Sequence, residues 1–285
     1  MQANMPMQVN GLKQRFITAV ILVPLFLALL FYLPPVGFLF FTAIVTVFGA
    51  FEWSHLMAIQ KMRWRFLYAG LVALCLYGSL FIAIRTTLVF ATLGWCAALL
   101  LIALYPRGSD WWRNSFFWRG FMGIFVFIPC WVAINFIRNA NNNDGIYVLL
   151  FLFVLIWGAD ITAYFVGRKW GKRALAPQVS PKKTWEGFIG AMLSSILIAV
   201  IALWATGADY KLWPWAVLLA LVTVIFSVVG DLFESLLKRT AGVKDSGSIF
   251  PGHGGLLDRM DSLTAAAPIF AFGGMLLGAA LGASS

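Results

Sequence analysis

The chain has 285 residues, of which 61% are apolar and 11% charged, and its mean hydropathy is +0.87. Soluble domains carry about 25% charged residues, so this composition excludes a soluble globular fold and predicts an all-α polytopic integral membrane protein. The formal net charge of +10 is therefore weighed by position along the chain before it is taken as a nucleic-acid signal.

Lys13 and Arg15 precede the first apolar run, Phe16 to Leu33. That run is long for a signal-peptide core and no small-residue cleavage site follows, so an uncleaved first helix is expected. In all, nine apolar stretches are predicted as helices, at 16–33, 36–51, 66–84, 88–105, 121–137, 146–166, 188–206, 213–233 and 262–282. Each is near the about 20 residues that cross a hydrocarbon core, the second and fifth being short. With the N-terminus inside, 18 of the 21 basic residues fall on inner segments and only Arg85, Arg138 and Lys211 on outer ones. The positive-inside rule thus predicts nine spans and a cytoplasmic N-terminus. The chain divides into 1–145, five spans read as scaffold and dimerisation region, and 146–285, four spans with two basic inner loops that carry the chemistry.

Trp53, Trp64, Tyr105, Trp111, Trp112, Trp118, Tyr147, Trp170, Trp213 and Trp215 lie near span ends and are expected as interfacial anchors. His55 is read as interfacial too. Cys75, Cys96 and Cys130 lie in apolar runs without metal-ligand spacing and are read as filler.

The polar chemistry collects in the second half. Asp160, in WGADITAYFVG, is either a functional intramembrane acid or a structural hydrogen-bond partner of another helix. In the first basic loop, Ser180 to Gly187 reads SPKKTWEG. Two lysines beside a new helix N-terminus make an anion site, although ordinary positive-inside charge would also explain them. The second loop, Ser235 to Asp261, reads SLLKRTAGVKDSGSIFPGHGGLLDRMD. It mixes Lys238, Arg239, Lys244 and Arg259 with Asp245, Asp258, Asp261 and His253. Asp258 and Asp261 are three apart, as are Asp231 and Glu234 at the inner end of the preceding span. Four acids at the mouths of two neighbouring spans repel one another unless a cation bridges them, and oxygen ligands suit Mg²⁺. Helix-end solvation accounts for Asp258 and Asp261 alone but not for Asp231, which the helix dipole disfavours there.

These residues resemble the phosphatidate cytidylyltransferases (CDP-diacylglycerol synthases) of bacteria and eukaryotes. The resemblance rests on Ser235, Lys238-Arg239, Lys244-Asp245, His253-Gly254-Gly255 and Asp258-Arg259-Met260-Asp261. It extends upstream to Asp160 with Ala163-Tyr164 and Gly167-Arg168, Ser180 to Thr184 with Glu186-Gly187, and Gly230-Asp231 with Glu234. It covers roughly residues 150–265, while the first five spans match in hydrophobic character alone.

The resemblance implies transfer of the cytidylyl group of CTP to phosphatidic acid in the bilayer, with release of pyrophosphate. It implies Mg²⁺ held by Asp231, Asp258 and Asp261, a monovalent cation such as K⁺ nearby, and a homodimer in a bacterial inner membrane with its site at the cytoplasmic face. Lys244, Asp245 and Arg259 join the three aspartates as expected catalytic residues. Ser180, Lys182, Lys183, Thr184, Glu186, Lys238, Arg239, His253 and Asp160 are expected to bind substrate. Two other classes stay open. A CDP-alcohol phosphotransferase would also gather aspartates, but its Asp-Gly-x-x-Ala-Arg run does not occur here. A transporter or channel would explain the spans and Asp160, yet the charges collect at the inner face rather than at mid-membrane.

Overall fold

Inside a bilayer, backbone groups must find partners within their own segment. The computed structural model of the chain is accordingly helical almost throughout; it describes residues 23–140, 144–243, 246–247 and 255–280. In chain order the helices are α1 (Val23–Tyr32), α2 (Pro35–Leu56), α3 (Met62–Ser79), α4 (Ile84–Leu104), the short α5 (Asp110–Arg113), α6 (Phe116–Asn139), α7 (Asp144–Trp170), α8 (Trp185–Thr206), α9 (Trp213–Ala241) and α10 (Asp261–Ala280). Between α7 and α8 lies a small antiparallel hairpin of β1 (Ala174–Ala176) and β2 (Ser180–Thr184), and a 3-10 turn (Leu257–Arg259) precedes α10.

Each predicted apolar stretch falls, among the described residues, on a helix for most of its length. Among the described residues, seven helices are long and apolar enough to cross a membrane: α2, α4, α6, α7, α8, α9 and α10. Helix α3 covers the third stretch but opens on Met62-Arg63-Trp64-Arg65 and is less apolar. The first stretch is described only from Val23, as α1.

Several helices outrun their predicted apolar stretches. Helix α2 continues through Glu52-Trp53-Ser54-His55, and α9 continues eight residues past Phe233 to Ala241, where Gly242 ends it in the left-handed conformation at φ 71°. The extension of α9 buries Leu236 and Leu237 in the core, and Lys238 follows Glu234 by one turn and pairs with it. Asp231 therefore lies well inside α9 rather than at its end.

Helix α8 shows how the bundle meets lipid. Ile189, Leu193, Leu197 and Ile201 form an exposed stripe at four-residue spacing, while Gly187, Ala191, Ser195 and Ala199 are buried. Large residues outward and small residues inward reverse the soluble pattern, because lipid tails solvate leucine as well as a core does and close helix packing needs small side chains. The inner stripe packs on α7, and α10 packs chiefly on α9 and α6.

Helix α6 runs through the centre, with a buried arginine at each end. Arg119 donates to the carbonyls of Leu56 (2.8 Å) and Thr240 (3.2 Å), and also to Arg113, tying the ends of α2 and α9 to the start of α6. At the other end, Arg138 donates to the carbonyls of Leu30 and Leu33 and lies over the Phe38 ring. The connections richest in lysine and arginine thus share the Arg119 end.

Two expected anchors are core residues instead. Trp53 and Trp112 are each 1% exposed, and Trp53 Nε1 donates to the Arg119 carbonyl at 2.9 Å. Placement near a span end did not reveal that these ends are themselves covered. Trp64, Trp111, Trp118, Tyr147, Trp170 and Trp215 are exposed as anticipated, as is His55. The three cysteines are free.

Candidate active site

Helices α7, α8, α9 and α10, the hairpin and the 3-10 turn converge on one cavity at the Arg119 end of the bundle. Glycine makes the closest approach possible: a Cβ on Gly230 would lie 2.4 Å from the Asp261 carbonyl, so α9 meets the first residue of α10 backbone to backbone. Asp231, the next residue, is thereby set beside Asp261. On the opposite side, Thr184 ends β2 and caps α8, its hydroxyl accepting the Gly187 N–H at 3.2 Å. The hairpin register, Ala174 with Thr184 and Ala176 with Ser180, holds Lys182 and Lys183 over the gap between α7 and α9.

The cavity measures about 580 Å³. Helix α7 lines it with Asp160, Ala163, Tyr164, Gly167 and Arg168; the hairpin with Leu175, Lys182, Lys183 and Thr184; α8 with Phe188 and Ala191; and α9 with Val228 and Asp231. Asp258, Arg259, Asp261 and Ser262 complete it. The wall is therefore cationic and acidic toward the bundle end and apolar toward the helices.

Two lysines organise the charges. Lys183 Nζ is 2.6 Å from Asp231 Oδ2, with Asp160 and Asp261 within its electrostatic reach. The other oxygen of Asp231 accepts the Ser235 hydroxyl at 3.3 Å. Lys238 Nζ is 2.8 Å from Asp258 Oδ1 and 3.2 Å from Glu234 Oε1. The Glu234 contact is an ion pair without hydrogen-bond geometry, since neither of its buried oxygens has a hydrogen-bond partner among the described residues. Asp258 Oδ2 further accepts the N–H groups of Gly255 (2.8 Å) and Ser246 (3.1 Å). Burial opposes ionisation of Asp258, but the Lys238 ammonium and the Gly255 N–H outweigh it and hold the carboxyl below its ordinary range.

Of the residues expected from sequence, Asp160, Lys182, Lys183, Thr184, Asp231, Asp258, Arg259 and Asp261 line this one cavity. Four others stand beside it. Lys238 is engaged with Glu234 and Asp258, and Arg239 Nε donates to the Val179 carbonyl at 3.3 Å, fastening α9 to the hairpin. Glu186 accepts the N–H groups of Lys172 (3.0 Å) and Arg173 (3.3 Å), and Ser180 opens β2. Lys244, Asp245 and His253 lie outside the described residues. Tyr164 and Arg168 also face the cavity, their side chains 3.1 Å apart. Glu52 of α2 was passed over as a site residue, although it accepts the Leu257 N–H at 2.8 Å. An acid directly after the second apolar stretch was the available signal.

The donors suit a hard divalent cation. All are carboxylate oxygens, and the buried Glu234 carboxylate, paired with Lys238 at 3.2 Å, stands within electrostatic reach of Asp258 and Asp261. Among the described residues, no three of the His, Cys, Asp and Glu side chains are grouped tightly enough to hold a metal alone. Mg²⁺ does not ask for that, since it commonly takes one or two carboxylates with water and substrate phosphate.

Fold and site together define an integral membrane enzyme with a charged cavity at one end of its helix bundle. The model of the cytidylyltransferase family matches residues 13–276. The chain is 39% identical to the phosphatidate cytidylyltransferase of Pseudomonas aeruginosa over 263 residues, covering 91% of this chain and 96% of that protein. It is 34% identical to that of Haemophilus influenzae (92% and 98% covered) and 36% identical to that of Brucella abortus (91% and 92% covered). The chain belongs to the cytidylyltransferase family.

Proposed function

We propose that the chain transfers the cytidylyl group of CTP to phosphatidate, giving CDP-diacylglycerol and pyrophosphate. The observation that carries this reading is the cavity wall: Lys182, Lys183, Arg168 and Arg259 beside Asp231 and Asp261, grading into apolar helix faces. Such a wall suits two phosphorylated substrates, one of them bearing acyl chains.

The reaction forms a bond between a phosphatidate phosphate oxygen and the α-phosphorus of CTP, and breaks the bond from that phosphorus to the α–β bridging oxygen. A phosphate monoester carries about −1.5 to −2 charge at neutral pH, so the attacking oxygen needs no base to strip it. The demands are positioning and charge shielding. Lys182 and Lys183 hold phosphate oxygens from the hairpin side, and Arg259 and Arg168 do so from the bundle end. Asp231 holds Lys183 in place through their 2.6 Å contact. Mg²⁺ held by Asp231, Asp258 and Asp261 would neutralise charge on the phosphates and the leaving pyrophosphate, and K⁺ is proposed as the accompanying monovalent cation. We further propose nine spans with the N-terminus and the cavity on the cytoplasmic side of a bacterial inner membrane, and a homodimer.

Purified protein given radiolabelled CTP and phosphatidate should make labelled lipid only when Mg²⁺ is present, and Asp258→Asn should lose most of that product while remaining folded. Folded wild type that makes no lipid product from CTP would overturn the reading. Full activity in Asp258→Asn would remove that residue from the proposed metal site.

A further inference from the structure

One buried acid comes from the other half of the chain. Glu52, one turn before the end of α2 and its only acidic residue, is 4% exposed. Its partner is 205 residues away: Oε2 accepts the N–H of Leu257 at 2.8 Å. The second oxygen, Oε1, has no hydrogen-bond partner among the described residues and lies against Gly247, where a Cβ would come within 2.3 Å of it. A Cβ on Gly255 would come within 2.6 Å of Oε2. A single carboxylate therefore touches both flanks of the second basic loop, Gly247 on the way in and Gly255 with Leu257 on the way out. Any side chain at either glycine would break the contact. The same flanks hold Asp258, through the N–H groups of Ser246 and Gly255.

We infer that Glu52 is a positioning residue for the transfer reaction. It fastens the two flanks of the loop to α2 and so fixes where Asp258, Arg259 and Asp261 stand in the cavity. The activity arm of this inference rests on the cytidylyl-transfer reading, whereas the fastening itself is geometric. The first half of the chain thereby shares in setting up the chemistry.

Three variants test it: Glu52→Ala, which removes the acceptor; Glu52→Gln, which keeps an acceptor for the Leu257 N–H; and Gly247→Ala, which pushes a methyl group into Oε1. Amide exchange is measured at residues 246, 255 and 257 and along α6, together with kcat and KM for CTP and dioleoyl phosphatidate. In Glu52→Ala, exchange at the three loop amides should rise by about an order of magnitude while α6 is unchanged. Its kcat should fall about 100-fold with little change in KM, because misplacement of the reacting groups rather than lost binding is the defect. Glu52→Gln should retain most of both properties. If Glu52→Ala does not fold, Gly247→Ala should show the same exchange rise and kcat loss. Unchanged exchange at the loop amides, or Glu52→Gln no better than Glu52→Ala, would overturn the inference. Wild type inactive with CTP would overturn the transfer reading instead, and the exchange data would still decide the fastening.

Discussion

Lys183 and Lys238 stand at the same end of the bundle, each against acids, and have opposite characters. Lys183 rides on a two-stranded hairpin, has one close partner in Asp231, and both side chains keep over a quarter of their surface exposed, 27% and 28%. Lys238 sits on α9 between Glu234 and Asp258, with side-chain exposures of 14%, 3% and 9%. A partly solvated pair can exchange its partner for an incoming phosphate at small cost, whereas two desolvated carboxylates cannot lose the cation they share. On the proposed reading, the same residue type serves substrate in one place and holds the fold in the other, and burial makes the difference.

Removing the Lys238 ammonium should do the most damage. Lys238→Met leaves Glu234 and Asp258 buried without their cation and should destabilise the protein by about 3–5 kcal/mol, read as loss of folded protein or a large drop in Tm in detergent. A variant with unchanged Tm would erase the distinction between the two lysines. Lys183→Met should instead stay within about 1 kcal/mol of wild-type stability. Its kcat/KM should fall by about 10²–10³, the usual effect of deleting one donor to a developing charge.

Gly230→Ala should sharpen the contrast from the acidic side. Its methyl group meets the Asp261 carbonyl, so α9 and α10 must part. The overpacking should cost about 1–3 kcal/mol and separate Asp231 from Asp261, lowering activity more than Tm alone explains. Thr184→Val should have the smallest effect. It removes the α8 cap below the hairpin that carries Lys183, at about 1 kcal/mol, with a modest rise in KM for CTP.

Much of this site could be read from the residues, because charge in an apolar chain is conspicuous. Asp160, Asp231 and Asp261 stood out by type alone, and they share a cavity. The division of labour between Lys183 and Lys238 could not be read, since both appear as basic residues in basic loops, and only tertiary burial separates them. The hairpin went unpredicted because SPKKT has neither apolar alternation nor length, and its pairing depends on the α7–α8 ends it bridges. The extent of α9 was missed because the unbroken apolar run ends at Phe233, while beyond it polar side chains flank the buried Leu236 and Leu237. Glu52 was visible as an acid at the edge of an apolar run, but a contact spanning 205 residues leaves no local trace.

The reversed faces of α8 bear on how the molecule tolerates change. In a water-soluble helix, drift accumulates on the outer surface through polar exchanges, and the large inward side chains are the restricted ones. On α8, Ile189, Leu193, Leu197 and Ile201 can exchange among bulky apolar types freely, whereas a single added methylene at Ala191 or Ala199 meets α7 or another neighbouring helix. A mutational scan of this helix would therefore find its smallest residues the least replaceable, and the wall of the cavity protected by side chains that carry no chemistry at all.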